Sequence, residues 1–101
     1  MTNEQFQLFF DQANLRRKAL LNKKEKMYSG GRDRLEQFQR AGVVQRIEPA
    51  EALIGMATKH FTSIVDMCKD PSNHTLNQWR EKLDDMRNYM DLLEALISEI
   101  E

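Results

Sequence analysis

Apolar residues recur at helical spacing along most of this chain. Phe6, Phe9, Phe10, Ala13, Leu20, Leu21 and Met27 follow a period near 3.6 behind Thr2 and Gln5, whose spacing matches a capping box, and they predict a helix over residues 3–27. Ser29-Gly30-Gly31 ends it. Asp33 with Glu36 gives a second capping-box signal for a short helix over 33–41, with Leu35 and Phe38 turned inward and Gly42 as its stop. Pro49 suits the first turn of a third helix, which Leu53, Ala57, Phe61, Ile64, Val65 and Cys68 carry over 49–69. After the loop Asp70-Pro71-Ser72-Asn73, Thr75 with Gln78 caps a fourth helix over 75–100.

In that last helix Leu76, Trp79, Leu83, Met86, Met90, Leu93, Ile97 and Ile100 alternate spacings of three and four, a heptad seam along the whole element. Tyr89, Leu92 and Leu96 widen the apolar surface beyond one stripe, so the helix is expected to face both its own bundle and another subunit. A homo-oligomer through helix 4 follows. With only four Gly and two Pro in 101 residues, the long stretches free of both suit helices rather than strands. The expected fold is all-α, a four-helix bundle-like single domain over residues 1–101.

The net charge of −1 hides an asymmetry: residues 1–46 hold ten Lys/Arg against five Asp/Glu, and residues 47–101 hold five against eleven. The basic half could dock on nucleic acid, but the acidic half would repel phosphates nearby and interleaved aromatics are missing, so nucleic acid is disfavoured as a partner. Packing of the two halves with paired charges is the simpler reading. Cys68 is the single cysteine, which excludes an intramolecular disulfide, suits a reducing cytoplasm and reads as core packing. No signal-peptide pattern opens the chain and no window is apolar for 18 residues, so a membrane span is not expected.

Candidate chemistry lies where polar residues interrupt apolar runs. On helix 4, Glu81, Asp84, Asp85, Asn88 and Asp91 form a carboxylate and amide strip beside the seam, open to solvation, to a Lys or Arg, to a metal or to a polar ligand. On helix 3, Lys59, Ser63 and Asp66 lie along one side. Lys59 could hold a phosphate as a point charge, and the neighbouring His60 could bond a base or phosphate, act as acid or base, or sit in the core against a carboxylate. The segment Lys26, Met27, Tyr28, Ser29, Gly30, Gly31, Arg32 is no Walker loop, but its glycines, cations and following helix start make it either a phosphate candidate or a plain connector.

Taken together, Lys26-Met27-Tyr28-Ser29, Phe38, Glu48-Pro49-Ala50-Glu51, Lys59-His60 with Ile64, and Asp84-Asp85 with Asn88-Tyr89 resemble a family of small bacteriophage proteins of unknown role. The resemblance covers about residues 23–97. Those proteins are similar to the all-α nucleoside triphosphate pyrophosphohydrolases of the MazG and dUTPase type and to phage proteins associated with nucleotide modification. In the pyrophosphohydrolases, acidic motifs on two helices hold Mg²⁺ and activate water against a nucleotide phosphate. Glu81-Lys82-Leu83-Asp84 matches the second motif, Glu-x-x-Asp, whereas helix 3 carries Lys59, His60, Ser63 and Asp66 where the first acidic cluster would stand.

The resemblance therefore implies a cytoplasmic, phage-like protein that binds a nucleotide or cyclic nucleotide without hydrolysing it and without a cofactor. Its ligand residues would be Lys26, Tyr28, Ser29, Arg32, Lys59, His60, Ser63, Asp85, Asn88 and Tyr89, and sequestering a nucleotide signal of host immunity would be its use, within the host cytoplasm. The alternative is a Mg²⁺-dependent pyrophosphohydrolase in which Asp66, Glu81, Asp84 and Asp85 hold the metal. A third reading has the helix 4 seam and basic helix 1 inhibit a host protein by direct docking.

Overall fold

The computed structural model of the chain describes residues 1–28 and 33–100, with the side chains of residues 25–28 outside the description. Among the described residues the fold is all-α: α1 (Asn3–Tyr28), α2 (Glu36–Gln45), α3 (Pro49–Cys68) and α4 (Leu76–Ser98), with a 3₁₀ turn at Pro71–Asn73. No described residue is in a strand. The chain divides into two compact units, Met1–Arg34 and Leu35–Glu101.

In the first unit α1 starts as its sequence specifies. The Thr2 N–H donates to Gln5 Oε1 at 2.8 Å and the Gln5 N–H to Thr2 Oγ1 at 3.1 Å, which satisfies two of the amides that a helix start leaves unpaired. The rings of Phe6 and Phe10, one turn apart, stack at 6.4 Å and remain largely exposed, as does Phe9. Arg34 donates through its guanidinium to the Leu21 carbonyl.

In the second unit α2, α3 and α4 surround a small core. Phe38 and Leu53 are fully buried, with Leu35 and Leu96 beside them and Ala50, Met56, Tyr89, Leu92 and Leu93 packed around. Leu53 shares this cluster with Leu96, while His60, seven residues further along α3, meets Tyr89, seven residues back along α4. The two helices are therefore antiparallel, an αα-hairpin. Its turn is fastened by α4's capping box, in which Thr75 N–H donates to Gln78 Oε1 at 2.8 Å and Gln78 N–H to Thr75 Oγ1 at 3.1 Å. Trp79 adds a bond from Nε1 to the Pro71 carbonyl at 3.1 Å and an edge contact with the His74 ring at 6.1 Å.

Three expectations are corrected here. The short helix begins at Glu36 with Leu35 as its N-cap and no side-chain cap bond, so the box from Asp33 to Glu36 does not form. It also runs through Gly42 to Gln45 and closes on Arg46, a left-handed residue with φ 58°. Arg46 N–H bonds the Val43 carbonyl and Ile47 N–H the Gly42 carbonyl at 3.0 Å, a Schellman ending. Gly42 is needed for close approach instead, since a Cβ there would stand 2.8 Å from the Ile47 carbonyl oxygen and 3.2 Å from the Pro49 nitrogen. Finally, Phe61, Val65 and Cys68 are exposed rather than packed, because α3 turns Leu53, Ala57, His60 and Met67 inward.

Candidate functional site

The inward stripe of α3 changes character along its length. Around Leu53 and Ala57 it is apolar and meets Phe38 and Leu96; two turns on it presents His60, whose neighbours on α4 are polar. This happens because the stripe of α4 that meets α3 runs from Asp85 and Tyr89 to Leu92 and Leu96, polar first and apolar last, while Asp84 and Asn88 are buried about 80–120° round the helix from Leu96. Most of the predicted heptad seam lies to the side of that face. The hairpin thus has an apolar end under α2 and a polar layer nearer its turn.

Within the layer the imidazole of His60 and the ring of Tyr89 face each other with centroids 5.4 Å apart and planes tilted by 38°. His60 Nδ1 lies 3.9 Å from Asp85 Oδ2, both side chains mostly buried; the separation exceeds a direct hydrogen bond and suits an ion pair when the imidazole is protonated. Asp84, 2% exposed, accepts from Arg87 Nη1 at 3.1 Å. Asn88, 4% exposed, has no hydrogen-bond partner among the described residues for either its amide nitrogen or its amide oxygen. Such groups are uncommon in folded proteins.

Of the ten residues expected to bind ligand, His60, Asp85 and Tyr89 come together, and Asn88 is buried on α4 one residue from Tyr89, about 100° round the helix. Ser63 is half-buried one turn from His60, and Lys59 is exposed beside it. Lys26, Tyr28, Ser29 and Arg32 fall outside the description, the first two for their side chains. Of the carboxylates assigned to a metal under the hydrolase alternative, Asp66 is exposed with Lys69 Nζ 3.6 Å away, Glu81 is exposed, Asp84 is held by Arg87 and Asp85 stands near His60. Among the described residues no three His, Cys, Asp or Glu side chains are placed to share a metal ion.

The role of Arg87 was not anticipated from the sequence, although its spacing of three from Asp84 is a helical ion-pair signal. A cleft of about 340 Å³ also opens at the other end of the hairpin, lined among others by Pro49, Ala50, Leu96 and Ile100 with Glu48 and Glu99. None of the expected ligand residues lines it. Among the described residues no helix is long and apolar enough to cross a membrane. Comparison of the chain with protein-family models, with curated proteins and with solved structures finds no match in any of the three.

Proposed function

We propose that this chain binds a phosphate-bearing nucleotide without turning it over, with the nucleobase read by Asn88 on α4, beside the stripe that carries Asp85 and Tyr89. The observation that carries the reading is the Asn88 carboxamide, buried with neither atom hydrogen-bonded among the described residues. A carboxamide sets a donor beside an acceptor, the pattern that complements the edge of a base. Leaving such a group unmatched costs about 1–3 kcal/mol, a cost that a ligand with matching groups would remove.

The neighbouring groups support the same reading. His60 and Tyr89 bring two flat rings of the kind on which bases stack, with the Asp85 carboxylate 3.9 Å from the imidazole. Lys59, exposed next to His60, is a point charge for phosphate, and Lys26, Tyr28, Ser29 and Arg32 remain phosphate candidates on the sequence alone. Binding ranks ahead of hydrolysis because α3 carries Lys59 and His60 where the MazG-like pattern has carboxylates. The MazG-like arrangement, the cytoplasmic setting and the capture of a host immune nucleotide belong to this proposal and rest on the resemblance.

Titration calorimetry of the full chain against mono-, di-, tri- and cyclic nucleotides, with and without Mg²⁺, tests it. At least one should bind independently of Mg²⁺, and Asn88→Leu should weaken it by about tenfold or more. Absence of binding across the whole panel would sink the proposal.

A further inference from the structure

The inward face of α4 leaves most of its heptad ridge uncovered. Leu76, Met90 and Ile97 are 56, 39 and 43% exposed, and Leu83 between them is half-buried. A seven-residue spacing drifts by only about 20° per step, so these four side chains form one continuous ridge about 32 Å long. Isolated exposed apolar residues are ordinary on a protein surface; a straight ridge of four at constant register is the seam that a second helix covers.

The flanking charges select the partner. Four positions after successive ridge residues stand Arg80, Arg87 and Glu94, so this flank is basic toward the start of α4 and acidic toward its end. Against a parallel copy, Lys82 would face Arg87 of the second copy, two like charges. Against an antiparallel copy centred near residue 90, Arg87 meets Glu94 of the second copy and Glu94 meets its Arg87, so both pairings are attractive. Arg87 is well exposed even while it holds Asp84, which leaves its remaining donors positioned at the rim.

We infer that α4 pairs antiparallel with α4 of a second copy of this chain through Leu83, Met90 and Ile97, with Arg87 and Glu94 exchanged across the two-fold axis; in this register Leu76 lies outside the overlap of the two helices. The polar layer around Asn88 lies on the other side of α4, so this pairing and ligand binding are independent of each other.

Two measurements on the full chain test the inference. In sedimentation velocity the protein should be a dimer at micromolar concentration. Met90→Glu, Ile97→Glu or Glu94→Arg, all at exposed positions, should each weaken the dimer about tenfold or more with unchanged helical circular dichroism. In a Cys68→Ser background, a spin label at Asn77→Cys should report an intermolecular separation of about 40 Å for the antiparallel pair, against about 10 Å for a parallel one. A monomer up to millimolar concentration, a dimer indifferent to Met90→Glu, or the short label distance would each overturn it. The label distance is read with the ridge intact, so it stands even if a ridge variant folds poorly.

Discussion

Arg87 and Asp84 form an ion pair on α4: Nη1 donates to Oδ1 at 3.1 Å across one turn of the helix, and the carboxylate is almost completely buried while the guanidinium is well exposed. The asymmetry sets the energetics. The desolvated partner is Asp84, and Arg87 contributes to offsetting its burial.

Arg87→Ala should therefore lower stability by about 2 kcal/mol, less than for a wholly buried pair because solvent reaches the guanidinium. Asp84→Asn in the same background should recover part of the loss by removing a buried charge. Urea unfolding of the two variants measures both effects. Equal stability of Arg87→Ala and the parent would mean that Asp84 is satisfied without it.

For Asn88→Leu the expected outcome is opposite in sign for stability and for function. Replacing an unmatched buried carboxamide by an apolar side chain of similar volume should raise stability by about 1 kcal/mol, seen as a higher melting temperature. Ligand affinity should fall in the same variant. A decrease in stability would show that Asn88 contributes to the packed layer itself.

Gly42→Ala should destabilise. The added methyl meets the Ile47 carbonyl at 2.8 Å and the Pro49 backbone at 3.2 Å, backbone atoms that cannot swing away. A steric cost of about 1–3 kcal/mol exceeds the gain of about 1 kcal/mol from the better helix propensity of Ala. Thermal unfolding monitored by circular dichroism would show the net loss as a lowered midpoint.

Arg46→Gly should do the reverse. A left-handed residue with a Cβ carries strain of about 1–2 kcal/mol, partly offset by the greater freedom of Gly in the unfolded chain. The net expectation is a gain of about 0.5 kcal/mol in denaturant midpoint analysis, with binding unaltered.

These residues also show what the sequence could convey. Thr2 with Gln5 and Thr75 with Gln78 cap their helices as their spacing predicts, because a capping box is closed by four consecutive residues and needs no tertiary information. Gly42 has the sequence context of a helix stop but is a point of backbone approach, because the sequence does not carry the path that brings Ile47 and Pro49 back against it. Likewise, periodicity identifies every apolar stripe on α4 without saying which one faces α3. The face that meets α3 is the one with Asp85, Tyr89, Leu92 and Leu96, which brings His60 to Asp85 and Tyr89 as candidate groups. Lys59 shared the sequence motif with His60, but one residue along a helix is a rotation of about 100°, which leaves it on the exposed surface.

The Trp79 bond to Pro71 has an optical consequence. As the single tryptophan of the chain, its indole sits at the turn of the hairpin, at the polar end rather than beside Phe38 and Leu53. Its fluorescence consequently reads the closure of that turn, whereas circular dichroism averages over every helix. In a denaturant series, emission that shifts before the helical signal would time the opening of the polar end separately from the melting of the apolar one.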